Sequence, residues 1–190
     1  SRVDPQGLHV VPFKKPTTEE LDHDFLWRVH KEVPAKGQIA IFNRSHYEDI
    51  IAVRVKKIFP DPVWKRRYKH VLDFESMLAE EGTVIIKLFL NISKAEQKKR
   101  LESRLQDPDK LWKFCMDDLD DRNRWDEFQT AYQDLIEKTS TPEAPWYIIP
   151  ADRKWYRNLV VARLMVEKLR HLQLSLPTPN FDPASIIIPD

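Results

Sequence analysis

The segment IAIFNRSHYEDIIAVRV, residues 39–55, places a cluster of polar side chains directly after a short apolar run. An arginine in such a cluster can grip a phosphate with its planar guanidinium, and neighbouring carboxylates can orient a nucleotide or hold Mg²⁺. A purely structural role is also open, because Ser45 and Glu48 fit the S/T-x-x-E capping box of a helix start. The candidate residues of this polar turn (residues 43–49) are Asn43, Arg44, His46, Glu48 and Asp49.

Four short runs of β-branched and aromatic residues predict strands, and amphipathic patterns between them predict helices. The predicted strands are 8–13, 39–42, 83–92 and 146–150. The predicted helices are 18–32, 45–56, 62–80, 93–105, 117–138 and 152–173. This alternation predicts an α/β fold with a parallel sheet, on which the apolar face of the last helix should pack.

The polar turn follows the second predicted strand, at its carboxyl end. In open α/β sheets ligands bind at this end, where helix N-termini offer unpaired N–H groups. Lys14 and Lys15 follow the first predicted strand and are expected at the same edge. His46 could be a phosphoryl carrier or a metal ligand, although no second ligand stands at metal-site spacing. The pattern therefore predicts an anion site at this edge of the sheet.

A second candidate is the basic segment, which begins SKAEQKKRLESRLQDPDKLWKF at residue 93 and runs to residue 116. Arg100 and Arg104 are four residues apart and so share one helix face, with Lys110 beyond a DPD break. Such charges commonly form a solvated face, and nearby glutamates could neutralise this one. A mobile basic flap is the other interpretation, because phosphoryl transfer spreads negative charge over several oxygens. Spacing alone leaves both open.

The acidic stretch MDDLDDRNRWDEF, residues 116–128, also admits two interpretations. Its carboxylates could gather a metal, but acidic residues at a helix start complement the helix dipole. We favour the second role for Asp117, Asp118 and Asp120. The six tryptophans are expected to pack in the core and between helices rather than to stack on bases.

Composition limits the classes of protein to consider. A chain of 190 residues with 42% apolar residues can form one domain with a real core. A net charge of +1 gives no global field for nucleic acid or a membrane surface, and no apolar run reaches the roughly 20 residues of a membrane span. The single cysteine, Cys115, excludes an internal disulfide and favours a reducing compartment. We therefore expect a cytoplasmic protein without nucleic-acid or membrane partners.

Nearly the whole chain resembles the family-2 polyphosphate kinases, with the matching segments in the same order. The segments that carry the resemblance are PFKKPTTEELDHDFLWRVH, FNRSHYED, FLNISKAEQKKRLESRLQDPDKLWKF, DDRNRWDEFQTAY and APWYIIPADRKWYRNLVVA. The form FNRSHYED, rather than FDRSWYN, is similar to the class III branch. That branch is associated with phosphorylation of both AMP and ADP from polyphosphate, with Mg²⁺.

The resemblance implies a P-loop kinase fold related to thymidylate kinase, with a three-layer parallel sheet and a helical lid formed by the basic segment. It implies that Asn43 and Arg44 form the Walker B segment and that Arg44 contacts phosphate. Glu48 and Asp49 would lie at the nucleotide site, where Asp49 would hold Mg²⁺ or Mn²⁺. The residues implied to bind polyphosphate are Lys14, Lys15, Arg100, Arg104, Lys110 and Arg122. The residues implied to be catalytic are Asn43, Arg44, Arg100 and Arg104.

One part of the family pattern is not in these residues. The family carries a Walker A loop, G-x-D-x-x-G-K-x-G, upstream of a segment like SRVDPQG, and the sequence begins with SRVDPQG. We therefore expect residues 1–174 to be a kinase-like core without its first strand and that loop, and 175–190 to be a proline-rich tail. The 190 residues are expected to be part of a longer protein and inactive alone.

Two alternatives stay open at this point. The nearest is a nucleoside monophosphate kinase that uses ATP as its donor. The other is a non-catalytic fragment that binds nucleotide or polyphosphate and assembles with intact partners. In either case the family and the apolar end of the tail favour a homo-oligomer, a dimer or a tetramer.

Overall fold

Strands and helices alternate along the chain in the computed structural model, which describes residues 7–175, 178–186 and 188–189. The predicted α/β class is therefore confirmed. The strands are β1 (Leu8–Pro12), β2 (Ile39–Asn43), β3 (Lys87–Asn91) and β4 (Trp146–Pro150). The helices are α1 (Thr18–Asp22), α2 (Trp27–His30), α3 (Glu48–Lys56), α4 (Asp61–Glu80), α5 (Lys94–Gln106), α6 (Asp117–Asn123), α7 (Trp125–Thr139) and α8 (Lys154–His171), with 3₁₀ turns at Pro108–Lys113 and Pro183–Ser185.

The strands form two hydrogen-bonded pairs, β1 with β2 and β3 with β4. β1 and β2 run parallel, in a register that sets Pro12 opposite Asn43. Just beyond β1, the Phe13 amide donates to the Asn43 carbonyl at 3.0 Å. The carboxyl ends of the two strands therefore lie side by side, as the sequence predicted, and the residues that follow each strand emerge at one edge.

The chain divides into two compact units. The first comprises residues up to 89 together with 93–148, and so holds β1, β2 and α1 to α7. The second comprises 90–92 and 149–190, which include α8. β3 and β4 contribute residues to both. The predicted boundary between a core and a tail at residue 175 stays a prediction.

The main core of the first unit lies between α3, α4 and α7. Ile50, Val71 and Leu135, one from each of these helices, are completely or almost completely buried. A second apolar cluster packs Val11 of β1 against α2 and α4. Helix α3 itself packs in the main core, between α4 and α7, which fixes the direction in which its first turn points.

Helix caps form at two other S/T-x-x-E sequences of the chain, Thr17–Glu20 and Ser93–Glu96. Thr17 and Glu20 form a complete capping box at the start of α1, with both side chains accepting from backbone amides. The Ser93 hydroxyl accepts from the Glu96 amide at the start of α5. The predicted box at the polar turn is wrong. There the Ser45 hydroxyl accepts from the Tyr47 amide at 3.4 Å, so the helix begins only at Glu48.

Two predicted helices are broken. The helix predicted over 18–32 splits into α1 and α2, because the Asp24 carboxylate accepts from the Leu26 amide and holds a turn that competes with helix. The helix predicted over 117–138 splits at Arg124, whose backbone has φ −101° and ψ 26°. The strand predicted over 83–92 is also shorter, since only β3 is extended and paired.

Other predictions about packing also need correction. No residue of α8 is buried, and Leu159 and Val166 on its apolar face are 41% and 47% exposed, while the packing of this face on the sheet stays a prediction. Trp64 is buried as expected, but Trp112 and Trp155 are largely exposed. None of the helices in the described part of the chain is both long and apolar enough to cross a membrane.

Predictions on the two ends of the chain fall partly outside the described residues. The segment SRVDPQ, with which the sequence begins, lies outside them, and so does Ile187 in the apolar end of the tail. Ile186 and Ile188, on either side of it, are exposed.

Candidate active site

The polar turn presents its side chains in two directions. Asn43 and Arg44 are exposed, whereas His46 and Tyr47 are buried to 7% and 5% exposure. Backbone hydrogen bonds then wind the chain into α3, beginning with the Glu48 amide, which donates to the Ser45 carbonyl at 3.1 Å. The inward pair anchors the turn and the outward pair faces solvent at the strand end.

Arg44 has a left-handed backbone, with φ 63°. A residue with a Cβ pays roughly 1 kcal/mol or more for this conformation, so the surrounding contacts must hold it there. The conformation reverses the chain between β2 and the buried pair, and it directs the Arg44 side chain outward. The predicted position of Arg44 at the strand end is therefore confirmed, while its contact with phosphate stays a prediction.

Lys14 and Lys15 emerge from the neighbouring strand, both exposed. The loop that carries them is fixed by Arg28, which is only 8% exposed. One Arg28 nitrogen, Nη2, donates to the Lys14 carbonyl at 2.9 Å, and the other, Nη1, lies 3.2 Å from Glu20 Oε2. Since β1 and β2 end together, these lysines and Arg44 form one basic edge.

Glu48 and Asp49 lie in the first turn of α3, where carboxylates complement the helix dipole. Burial raises the pKa of Glu48 above its ordinary value, and the negative charge of Asp49 adds to this although Arg44 opposes it. Burial also raises the pKa of Asp49, against the positive charges of Arg67 and Arg28. Ionisation of Glu48 and of Asp49 is therefore less favourable beside the basic edge than it would be in water.

Asp49 is the predicted metal ligand, and its surroundings permit that role only in part. Arg67 Nη1 donates to the Asp49 carbonyl at 2.6 Å and lies 3.5 Å from Asp49 Oδ1. Within the described residues, no three His, Cys, Asp or Glu side chains are grouped so that they could hold a metal. Mg²⁺ commonly takes only one or two carboxylates and completes its shell with water and substrate phosphates. Asp49 fits a single ligand of that kind.

The predicted cations of the basic segment each contact a group nearby. Arg100 Nε donates to Glu96 Oε1 at 2.8 Å, and Arg104 Nη1 to Asp118 Oδ2 at 3.2 Å. Lys110 pairs with Asp107, and Arg122 Nη1 donates to the Lys94 carbonyl and the Gln97 side chain at 2.7 and 3.0 Å. These contacts stabilise the present arrangement of α5 and α6, and a bound polyanion would have to replace the acidic partners.

The contacts described so far form two groups, one at the strand ends and one in the basic segment. Asp121 of α6 provides a connection between them, because Lys56 Nζ at the end of α3 lies 2.7 Å from its Oδ1. The negative charge of Asp121 also contributes to the raised pKa of Glu48. Asp121 therefore lies close enough to the polar turn to act on it electrostatically.

Four charged residues near the site were missed by the sequence predictions. Arg28 and Arg67 both act on Asp49, and Glu75 and Lys87 form a buried ion pair beneath the polar turn, with 2.7 Å between Oε2 and Nζ. A signal for the pair was present, because Lys87 interrupts the apolar run TVIIKLFL of a strand predicted to be buried on both faces. A charge at such a position needs a partner.

Known proteins resemble this chain along most of its length. An AMP/ADP-polyphosphate phosphotransferase of Meiothermus ruber is 53% identical over 98% of this chain and 70% of its own length. An ADP-polyphosphate phosphotransferase of Rhodopseudomonas palustris is 39% identical over 93% of this chain and 65% of its own length. The crystal structure of polyphosphate kinase 2 from Arthrobacter aurescens TC1 superposes with a TM-score of 0.92 at 49% identity, covering 96% of this chain and 64% of that one.

The chain thus spans about two thirds of the length of these relatives. The superposition supports the predicted P-loop kinase-like fold. The family model for Polyphosphate kinase 2 (PPK2) matches residues 1–176, which include every candidate residue described above. The chain belongs to the polyphosphate kinase 2 family.

Proposed function

We propose that the protein containing this chain transfers the terminal phosphate of polyphosphate to AMP and to ADP. The observation that carries the proposal is the basic edge, where the exposed Arg44 follows β2 beside the exposed Lys14 and Lys15 that follow β1. The relatives support the substrates, since their names pair polyphosphate with ADP or with both AMP and ADP.

The reaction is a direct in-line displacement. A phosphate oxygen of the nucleotide attacks the terminal phosphorus of polyphosphate, a new P–O bond forms, and the bond to the next phosphate breaks with its electron pair on the departing chain. Catalysis then rests on positioning and on neutralisation of oxygen charge rather than on a covalent intermediate. Arg44 would hold transferred or acceptor phosphate oxygens, and Glu48 and Asp49 would orient the nucleotide.

The basic segment would act on the donor. Arg100, Arg104 and Lys110 all lie on this segment, each beside a carboxylate. Arg122 of α6 holds that helix against α5, the helix with which the segment begins. Closure of this segment over polyphosphate would exclude water, which otherwise hydrolyses the donor. Arg100, Arg104 and Lys110 would each exchange a carboxylate partner for phosphate oxygens.

Mg²⁺, or Mn²⁺ in its place, belongs to this proposal. Bound there, the ion would supply charge neutralisation between nucleotide and polyphosphate oxygens. Asp49 is the residue of this chain that fits it best. A cytoplasmic location and a homo-oligomeric assembly are likewise part of the proposal, on the grounds of the nucleotide substrates, the single cysteine and the exposed apolar side chains of the tail.

The experiment compares donors. Full-length protein is incubated with AMP and Mg²⁺, and with either polyphosphate or ATP, while ADP and ATP are separated by chromatography over time. We expect ADP and then ATP with polyphosphate. Transfer from ATP alone would identify a nucleoside monophosphate kinase, and binding without transfer from either donor would identify a non-catalytic protein.

A further inference from the structure

A buried carboxylate beneath the polar turn contacts the turn directly. Glu75 lies in α4 and is 4% exposed. Its Oε1 accepts from the Tyr47 hydroxyl at 2.5 Å, and its Oε2 accepts from Lys87 Nζ at 2.7 Å. A charge at this depth is costly unless it is paired and hydrogen-bonded, and here both oxygens have donors.

Lys87 extends the same set of contacts to three further elements. Its Nζ also donates to the Tyr47 hydroxyl at 3.1 Å and to the Thr139 carbonyl at 2.6 Å. The Thr139 hydroxyl in turn accepts from the Trp146 indole at 2.9 Å. We call these residues the Glu75 network: Tyr47, Glu75, Lys87, Thr139 and Trp146. It joins the polar turn before α3 to α4, β3, α7 and β4 at one point.

His46 adds a second contact between the network and the polar turn. Its Nε2 lies 3.5 Å from Glu75 Oε1, and its ring stacks on that of Tyr47 at 4.5 Å between centroids. The apolar ring of Phe74 also lies edge-on to the His46 ring, with 6.0 Å between the ring centroids. Tyr47 is thus held by a hydrogen bond to this carboxylate, and His46 lies close to the same carboxylate without a hydrogen bond to it.

The electrostatics agree with an ionised Glu75. Burial alone would raise its pKa, but His46, Lys87 and Tyr47 together outweigh burial and lower it. Burial lowers the pKa of Lys87, although Glu75 opposes the shift. Burial also raises the pKa of the Tyr47 hydroxyl, helped by the negative charge of Glu75, so this hydroxyl stays a donor.

We propose that Glu75 is a positioning residue for phosphoryl transfer, which acts through Tyr47 and His46 to hold Arg44 at the basic edge. Arg44 stands two residues before His46, in a left-handed conformation that needs support from its neighbours. Fold stability alone does not require such a pair, since buried ion pairs can commonly be replaced by apolar residues without loss. The inference rests on the proposed function.

The test uses full-length protein with two variants and one control. Glu75→Gln keeps the shape but removes the charge, and Tyr47→Phe removes a single hydroxyl. Asp134→Asn is the control, because Asp134 binds Arg54 in the same helix α3 at 2.6 Å but has no contact with the polar turn in the interactions described above. Kinetics with polyphosphate and AMP are combined with melting temperatures and amide hydrogen exchange.

We expect Glu75→Gln to lower kcat about 100-fold with KM for AMP changed less than about 3-fold, since misplacement near 1 Å costs that much. Tyr47→Phe should lower kcat about 5-fold, because it removes the hydroxyl that donates to Glu75 and accepts from Lys87. Both should speed exchange of amides 46–51. Asp134→Asn should keep kcat within about 2-fold of the wild-type value, even if its melting temperature falls as far as that of Glu75→Gln.

Equal kcat values for Glu75→Gln and Asp134→Asn would overturn the positioning role. If Glu75→Gln does not fold, Tyr47→Phe decides: unchanged kcat together with unchanged exchange overturns it. A wild-type protein without transfer from polyphosphate would overturn the proposed function instead. In that case exchange at 46–51 still decides whether Glu75 anchors the turn.

Discussion

The Glu75 network and the basic segment use the same kinds of side chain in opposite ways. In the network, Lys87 and Glu75 are both 5% exposed at their side chains and each is fully satisfied by fixed partners. In the basic segment, Arg104 and Asp118 are 36% and 37% exposed, and Lys98 and Glu102 are 64% and 55% exposed. Buried pairs are fixed, whereas exposed pairs are weak and screened by water, so they can exchange for a ligand.

The comparison indicates two different roles. The Glu75 network is a scaffold that holds the polar turn in place, and the basic segment is a capture surface whose exposed cations would bind polyphosphate. Arg44 lies where the two roles meet, because it is exposed itself but follows a turn that is anchored from below. Variants on the two sides should therefore fail differently. Changes in the scaffold should lower stability and kcat, and changes in the capture surface should raise KM for polyphosphate.

The largest effect is expected at Arg44. Arg44→Ala should lower kcat/KM about 1,000-fold, because an arginine that neutralises phosphoryl oxygens in the transition state commonly contributes that much. Arg66→Ala is the control, since Arg66 is also exposed but donates only to the Pro62 carbonyl of its own helix among the hydrogen bonds found. Initial rates with polyphosphate and AMP measure both. Equal rates for Arg44→Ala and wild type would show that the polar turn has only a structural role.

The next effect is on stability. Lys87→Met leaves Glu75 buried without its cation and should lower the free energy of unfolding by about 3 kcal/mol. Lys98→Ala removes an exposed cation of the basic segment and should leave it unchanged within error. Urea unfolding followed by tryptophan fluorescence gives both values. A similar loss in the two variants would contradict the contrast between fixed and exchangeable pairs.

A smaller effect is expected in the capture surface. Arg104→Ala should raise KM for polyphosphate about 10-fold with little change in kcat, because one charge-assisted hydrogen bond to phosphate is lost. Arg66→Ala is the control, since Arg66 is an exposed arginine of α4 outside the basic segment, and it should behave as wild type. Saturation curves at fixed AMP separate KM from kcat. A fall in kcat alone would assign Arg104 to the chemical step instead.

The smallest effects are the opposite pH dependences of two glutamates. The folded-state pKa of Glu75 is lowered, so its stabilisation is present above about pH 4.3 and is lost as pH falls through the folded value. The folded-state pKa of Glu48 is raised, so folding is penalised as pH rises through that value. At pH 7, Glu48→Gln should therefore stabilise the protein by about 0.5 kcal/mol, and Glu75→Gln should destabilise it.

Urea unfolding between pH 3 and pH 7 checks this pair. The difference between Glu48→Gln and wild type should vanish at the acid end, where the Glu48 carboxyl is protonated in both the folded and the unfolded protein. Destabilisation by Glu48→Gln at pH 7 would show that its carboxylate is a structural cap after all. It would also remove the basis for treating Glu48 as a residue kept for ligand binding.

The predicted elements followed from local patterns, and the errors came from contacts between distant residues. Apolar runs located β1 and β2, and their parallel register then brought Lys14 beside Arg44 as expected. The start of α3 was misplaced because the capping pattern at Ser45 competes with burial of His46 and Tyr47 against Glu75. No local pattern shows that competition, since Tyr47 and Glu75 are 28 residues apart.

The candidate site shows the same limit. The sequence identified the exposed residues, because a basic cluster after a strand has a recognisable chemistry. It did not identify Arg28, Arg67 or the Glu75 network, whose roles depend on which carbonyl or carboxylate lies within hydrogen-bond distance. The exposed residues that we propose to bind ligand were thus easier to predict than the buried residues that we propose to hold them in place.

The most direct test of the account is a double-mutant cycle between Glu75 and Arg44. Glu75→Gln is made in wild type and in the Arg44→Ala background, and kcat with polyphosphate and AMP is measured for all four proteins. If Glu75 acts by positioning Arg44, the loss of about 100-fold in wild type should shrink to about 2-fold or less when Arg44 is already absent. An equal loss in both backgrounds would contradict the account.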